Sequence, residues 1–173
     1  MTQPGSDAVP LRIAVVGAGP AGFYAAELLL KSPHRVQADL FESLPSPYGL
    51  VRYGVAPDHP KMRTVISRFD RTGASKDFSY FGNTTIGRDI SIEDLRTWYD
   101  AIIISTGAQQ PRQLGIPGED LPGSYTARPF IDWYNAYPDF TGANFDLSCD
   151  TAVVIGKYHH RFVGQFRPEE PLA

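Results

Sequence analysis

The sequence predicts an α/β fold with a parallel sheet, and three features support that class. Residues 11–16 and 101–105 are short apolar runs rich in β-branched residues, typical of strands buried on both faces of a parallel sheet. A glycine-rich turn follows the first run and leads into helix-forming residues. A second strand pattern comes after them, so strands and helices alternate as they do in a layered α/β domain.

The first strand–helix–strand unit covers residues 11–42. A predicted strand at 11–16 leads into a glycine turn at 17–22 and a helix at 21–31, and a second strand follows at 35–42. A unit of about thirty residues has the length of a right-handed βαβ crossover. The sequence therefore predicts a Rossmann-type parallel sheet.

The chain beyond this unit begins with a long loop at 44–60, rich in proline and glycine. Its aromatic and aliphatic side chains argue against disorder and favour a functional loop. Ser91, with Asp94 three residues later, predicts a capped helix start. The other predicted elements are a helix at 59–72, strands at 78–81 and 84–86, a helix at 92–99, a fully buried strand at 101–105, a helix at 129–137 and a last strand at 152–155.

Composition argues against several classes of protein. Hydrophobic residues make up 42% of the chain and charged residues 20%, as in ordinary globular proteins. The net charge of −3 gives no reason to expect a nucleic acid or an anionic membrane as a partner. Cys149 is the single cysteine, which excludes an internal disulfide, a CxxC redox pair and a cysteine-held iron–sulfur cluster.

The apolar stretch 11–30 is not expected to be a signal peptide or a membrane span. Arg12, Glu27 and the glycine turn interrupt it, and no positive charge precedes it. The first ten residues contain no arginine, which argues against a mitochondrial presequence. We therefore expect a flexible N-terminus at 1–10 and a cytoplasmic protein.

The glycine turn has the pattern G-x-G-x-x-G, formed by Gly17, Gly19 and Gly22. The first glycine permits a tight turn, the second lets the backbone approach a pyrophosphate, and the third lets helix and strand pack closely. Glu42, twenty residues after Gly22, ends the second strand and is placed to accept hydrogen bonds from a ribose diol. This arrangement predicts a site for FAD or NAD rather than NADP, and the alternative is a tight turn without a ligand.

The loop after the second strand carries a more specific signal. It contains GLVRYGVAPDHPKMR (49–63), and FGNTTIG (81–87), YDAIIISTGAQ (99–109) and GIPGEDLPGS (115–124) follow it. Together with the glycine turn, these segments resemble the adrenodoxin-reductase type of ferredoxin–NADP+ reductase over residues 11–156. The resemblance implies the FAD-binding part of a two-dinucleotide-binding flavoprotein, which passes electrons from NADPH through FAD to a ferredoxin-type carrier.

The resemblance also implies roles for individual residues. Arg112 would reach the nicotinamide nucleotide, and His59 would lie near the flavin ring, where a proton relay is proposed for the family. Each residue has an ordinary alternative as well: core packing for Leu50 and Ile86, a helix cap for Asp58, a surface position for His59 and a solvated charge for Arg112. The residues expected to contact FAD are Gly17, Gly19, Ala21, Gly22, Glu42, Leu50, Ile86 and Gly107.

The last residues depart from the family pattern, because Gly156 is not followed by further glycines at the spacing of a second dinucleotide turn. We expect an FAD-binding domain at 11–150, then a remnant strand and an irregular tail at 151–173, with the NADP domain missing and activity impaired. His159 and His160 are adjacent, so they point in different directions and do not predict a metal site. The alternatives are a non-enzymatic flavin- or partner-binding remnant, and an amine oxidase or monooxygenase of the same superfamily.

Overall fold

A parallel four-stranded sheet forms the centre of the molecule in the computed structural model, which describes residues 4–108, 110, 113–148 and 150–155. The strand order is β3-β2-β1-β4, and every neighbouring pair runs parallel. The predicted α/β class with a Rossmann-type sheet is therefore confirmed. The strands are β1 (Leu11–Val16), β2 (Val36–Phe41), β3 (Phe78–Phe81) and β4 (Ala101–Ile104).

Helices connect the strands and cover the sheet. None of the helices in the described ranges is long and apolar enough to cross a membrane. Short 3-10 helices lie at Pro60–Val65 and Pro138–Phe140. The α-helices are α1 (Pro20–Leu30), α2 (Leu50–Tyr53), α3 (Ile66–Gly73), α4 (Ile92–Trp98) and α5 (Ala127–Tyr134).

Two hydrophobic clusters lie on opposite faces of the sheet, because successive side chains of a strand point to opposite sides. On one face, Val15 packs in an aromatic cluster in which Phe69 stacks on Phe23 with ring centroids 4.9 Å apart. On the other, the residues flanking Val15 in β1 pack with Leu95 of α4. Burial on both faces fixes the register of β1, since a one-residue slip would exchange the two sets.

The predicted helix start at Ser91 is confirmed in detail. The Ser91 hydroxyl accepts a hydrogen bond from the Asp94 backbone N–H at 3.0 Å, and the Asp94 carboxylate accepts one from the Ser91 N–H at 3.2 Å. This reciprocal cap satisfies two N–H groups that the first turn of α4 would otherwise leave open. It also orients Leu95, which is fully buried, toward the sheet.

Two strand predictions are wrong. Residues 84–86 make a single bridge, Ile86 to Ile90, instead of a strand. Residues 152–155 do not pair with any strand of the described sheet, and Val153 is 81% exposed. β-Branched residues favoured a strand in both segments, but a strand also needs a partner with free backbone groups.

The environment of two further segments also differs from the prediction. β4 is half-exposed instead of fully buried, with Ile104 67% exposed, because β4 is an edge strand of the described sheet. The N-terminal segment makes backbone hydrogen bonds from Gly5 onward, although a flexible lead-in at 1–10 was expected. There, the Gly5 carbonyl accepts a hydrogen bond from the Arg35 N–H at 2.7 Å, next to the start of β2.

Replacing Phe69 by alanine should destabilise the fold, because Phe69 is fully buried within the aromatic cluster. We expect a loss of about 3–5 kcal/mol in the free energy of unfolding, measured by denaturant titration. Leu28→Ala is the control, since Leu28 is 70% exposed on α1 and should change stability by less than about 0.5 kcal/mol. Equal losses for the two variants would contradict the packing described.

Three tyrosines should ionise late in an alkaline titration. Burial, in each case the largest cause, raises the pKa of Tyr48, Tyr80 and Tyr99 from 10.0 to about 12, and the nearby carboxylate of Asp39 adds to the effect at Tyr99. Because the folded-state pKa is the higher one, this contribution to stability is complete below pH 10 and is lost as pH rises toward 12. Tyrosinate absorbance checks this: native protein should show a late phase that disappears in denaturant, and a single phase near the ordinary pKa would refute it.

Candidate dinucleotide-binding site

A cleft of about 540 Å³ lies at the carboxyl ends of β1, β2 and β4. Its size falls within the range of small-molecule sites, and this edge of an open α/β sheet is where ligands bind. The wall on the β1 side is the glycine turn, and Glu42 and Ser43 continue it from the end of β2. The other lining residues include Leu44, Leu50, Tyr53, Thr84, Thr85, Ile86, Ser105, Gly107, Arg128 and Tyr137.

Steric contacts explain two of the three motif glycines. Gly17 has a φ of +105°, and a Cβ on it would lie 2.5 Å from the Ser105 carbonyl oxygen. A Cβ on Gly22 would lie 2.0 Å from the Gly17 carbonyl oxygen, so α1 and the turn pack only because this side chain is missing. At Gly19, which lines the cleft, a Cβ would meet no atom within 4 Å. The turn therefore presents open backbone at the position where the motif expects a pyrophosphate to approach.

The amino end of α1 faces the same cleft. Pro20 occupies the first helical position, and the Phe23 N–H donates to the Gly19 carbonyl at 3.1 Å. The N–H groups of Ala21 and Gly22 come before Phe23 in the chain. They have no acceptor within the helix, as is usual for the first helical turn. Together with the positive end of the helix dipole, they form a site that suits an anion.

Glu42 is turned toward the glycine turn. Its Oε2 accepts a hydrogen bond from the Ala18 N–H at 2.9 Å, and its Oε1 accepts from the Ser43 hydroxyl and the Leu44 N–H at 3.0 and 3.1 Å. Because a carboxylate offers about four lone-pair sites, these three bonds fix its orientation and leave capacity for a further donor. The carboxylate thus lies beside the turn, as the ribose assignment requires.

The remaining residues predicted to contact FAD lie in three different segments that follow β2, β3 and β4. Leu50 lies in α2 and is 52% exposed, so it is not a core residue and its side chain is open to the cleft. Ile86, between β3 and α4, lines the cleft while packing partly against the cluster around Leu95. Gly107, just after β4, has a φ of +71°. The fold therefore brings both hydrophobic residues and this strand end to one cleft.

His59 is not among the residues that line this cleft. Its Nδ1 lies 2.8 Å from Asp58 Oδ1, and the side chain is 63% exposed. The hydrogen bond with His59 lowers the pKa of the Asp58 carboxyl. Asp58 does not cap the helical turn that begins at Pro60, because His59 occupies the cap position without a side-chain bond. The helix-cap alternative for Asp58 is therefore wrong.

Some predicted residues lie outside the described residues: Arg112, Cys149, Gly156, His159 and His160. Within the described ranges, no group of three or more His, Cys, Asp or Glu side chains is arranged to hold a metal ion. The tail interpretation for residues 157–173 likewise lies outside the described residues.

Sequence reasoning missed several residues of the cleft. The Ser105 hydroxyl, just after β4, shares its one donated hydrogen between the carbonyl oxygens of Val16 and Gly17, at 3.1 and 3.0 Å, and so joins the end of β4 to β1 and the turn. Its position at the carboxyl end of a predicted parallel strand was a usable signal. The sequence carried no comparable signal for Arg128 and Tyr137. They reach the cleft only because residues 127–140, called the α5 region below, dock beside it.

Comparisons with known proteins add sequence and structural relatives, although no protein-family model matches the chain. The sequence is 49% identical to the mitochondrial NADPH:adrenodoxin oxidoreductase of Homo sapiens over 146 residues, 84% of this chain. It is 49% identical over 83% of its length to the NADPH-ferredoxin reductase FprA of Mycobacterium leprae. Among solved structures, FprA of Mycobacterium tuberculosis in complex with NADPH matches 80% of the chain with a TM-score of 0.76 and 46% identity.

These relatives are much longer than the matched region. The chain spans 30% of the human protein, 33% of the Mycobacterium leprae protein and 32% of the solved Mycobacterium tuberculosis chain. The family resemblance found in the sequence and the flavoprotein type of fold are confirmed.

Replacing Gly22 by alanine should break the contact between α1 and the turn. The added Cβ meets the Gly17 carbonyl at 2.0 Å, and this backbone atom cannot swing aside as a flexible side chain would. We expect a loss of about 3 kcal/mol in the free energy of unfolding, the upper end for overpacking. Gly73→Ala is the control, because a Cβ there meets nothing within 4 Å and alanine favours a helix. Unchanged stability of the Gly22 variant would show that the turn is not packed as described.

Proposed function

Because this chain is homologous to the adrenodoxin-reductase type of ferredoxin–NADP+ reductase over 84% of its length, we propose that residues 11–150 form an FAD-binding domain. The observation that carries this proposal is the hydrogen bond between Glu42 and the Ala18 N–H at 2.9 Å. It holds a carboxylate beside an open glycine turn at the amino end of a helix, which is the arrangement a dinucleotide needs. Of the cofactors that this arrangement fits, the family favours FAD.

In this proposal, different residues of the cleft contact different parts of the cofactor. The diphosphate would lie on Gly17, Gly19 and the first N–H groups of α1, and Glu42 would accept from the ribose of the adenosine half. Ala21 and Gly22 would present their N–H groups to the diphosphate, and Gly22 would also support the turn, because a Cβ there would meet the Gly17 carbonyl oxygen. Leu50, Ile86 and Gly107 would surround the flavin half, with the apolar side chains excluding water from it.

The proposed activity is electron transfer from NADPH to a ferredoxin-type carrier. The relatives are named for NADPH and for adrenodoxin or ferredoxin, and this chain spans at most 33% of those shown above. FAD would supply the chemistry of accepting two electrons as a hydride and passing them on singly. In this proposal Arg112 reaches the nicotinamide nucleotide, and His59, held by Asp58, exchanges a proton with solvent near the flavin.

The domain limits and the cellular location remain predictions. We keep the FAD-binding domain at 11–150. A cytoplasmic location is likewise proposed from the sequence. The relatives do not decide it, since they include proteins named as mitochondrial and a bacterial reductase.

Titration of the purified chain with FAD tests the proposal directly. Binding should quench flavin fluorescence, and Glu42→Gln should weaken binding at least about tenfold, since it removes charge-assisted hydrogen bonds to the ribose. Glutamine keeps one oxygen that can still accept from the Ala18 N–H, so the turn should survive. Glu93→Gln, at an exposed glutamate in the first turn of α4, is the control for loss of one negative charge.

Two results would overturn the proposal. A wild-type chain that is folded but binds no FAD would refute the cofactor assignment. Equal FAD affinities of the wild type and the Glu42→Gln variant would refute the role of Glu42. The proposed electron transfer is checked separately, by following NADPH oxidation with a ferredoxin as acceptor.

A further inference from the structure

We infer that Arg128 is the cationic contact for the diphosphate of the bound dinucleotide, on the flavin side, and that Asp132 is the residue that positions it. Arg128 lines the cleft together with Tyr137, and its Nη1 donates to the Ala108 carbonyl at 3.2 Å. This inference rests on the proposed FAD-binding function.

The charges that line the cleft are arranged on two sides of the glycine turn. Among the described lining residues, Glu42 is the one carboxylate and Arg128 the one cation. Glu42 comes directly after β2, whereas Arg128 is anchored to Ala108 just beyond β4, and β2 and β4 flank β1 on opposite sides. A dinucleotide with its adenosine ribose on Glu42 and its diphosphate on the turn would therefore continue toward Arg128 with its flavin half.

The diphosphate needs more positive charge than the helix provides. A diphosphate bridge carries two negative charges, while the amino end of α1 contributes the equivalent of roughly half a positive charge. A guanidinium suits this task, because its planar donor groups match phosphate oxygens. Arg128 uses two of its five N–H donors on Asp132 and Ala108. The other three have no hydrogen-bond partner among the described residues and can donate to a ligand.

Asp132 fixes the direction of this guanidinium. The two residues lie one helical turn apart in α5, and Asp132 Oδ2 accepts from Arg128 Nε at 2.5 Å. Asp132 is only 1% exposed, and its Oδ1 has no hydrogen-bond partner within the described residues. Burying a carboxylate costs free energy. The ion pair with Arg128 offsets this cost for Asp132 and holds the Arg128 side chain at the cleft.

The side chain of Arg128 is also restrained from a second direction. Its guanidinium carbon lies 5.9 Å from the centre of the Tyr137 ring, and only 24% of the Arg128 side chain is exposed. Tyr137 in turn packs edge-on against Tyr53 of α2 at 5.1 Å. A cation that is held by an acid, a carbonyl and an aromatic ring is preorganised for a ligand, so less entropy is lost on binding.

A double variant separates binding from stability. Arg128→Gln alone would leave the buried Asp132 charge without a partner and should lower the unfolding temperature. The double variant Arg128→Gln/Asp132→Asn replaces the ion pair by two neutral amides and should recover the unfolding temperature without restoring the positive charge. We expect it to bind FAD at least about tenfold more weakly than the wild type, with a shallower dependence of affinity on salt. Arg96→Gln, at an exposed arginine of α4, is the control and should match the wild type.

The outcomes distinguish this inference from the proposed function. Wild-type affinity for FAD in the folded double variant would overturn the role of Arg128, while the FAD site itself would stand. If Arg128→Gln weakens FAD binding but the double variant recovers both the affinity and the unfolding temperature, the pair has a purely structural role and the inference is overturned. A folded wild-type chain that binds no FAD would overturn the proposed function and this inference together.

Discussion

The close contact between the glycine turn and the carboxyl end of β4 is the constraint on which the rest of the cleft depends. Gly17 lies against the Ser105 backbone, and the Ser105 hydroxyl donates to the carbonyl oxygens at the end of β1 and the start of the turn, so the ends of β1 and β4 are held together. This contact sets where Gly107 and Ala108 emerge, and Ala108 is the anchor for Arg128. A side chain at Gly17 would push apart the two walls between which a ligand must fit.

The part of the fold that sequence patterns predicted is the part governed by local rules. The strand at 11–16, the glycine turn and the capped helix at Ser91 each depend on residues that are neighbours in the chain. The failures depend on distant partners. The runs at 101–105 and 152–155 look alike as sequences, but one pairs with β1 and the other has no strand beside it in the described sheet. Hydrophobic composition indicates that a segment can be a strand, whereas its burial is decided by what lies beside it.

The same division holds for the candidate site. Glu42 and the three glycines were found because one βαβ unit places them, and the family resemblance added Leu50 and Ile86, which line the same cleft. Arg128 follows the glycine turn by more than a hundred residues, and its approach depends on how α5 docks beside Ala108. The loop at 44–60 shows the intermediate case. Its aromatic and aliphatic side chains favoured a functional loop over a disordered one, but the short helix at Leu50–Tyr53 within it was not predicted.

Ligand binding and folding should be coupled in this chain, because the cleft is assembled from segments that the sheet alone does not hold together. The α5 region touches the cleft through Arg128 and Tyr137, and its described links to the rest include the Ala108 hydrogen bond and the contact of Tyr137 with Tyr53. A dinucleotide that bridges Glu42 and Arg128 would join the β2 side to the α5 side across the turn. A ligand that binds only the folded state stabilises that state, by an amount that grows with the logarithm of the ligand concentration over Kd. Because the sheet already holds itself together, the bridging ligand would stabilise the docking of α5 more than it stabilises the sheet. In this proposal the charges of Glu42 and Arg128 would therefore help to dock α5 as well as to recognise the ligand.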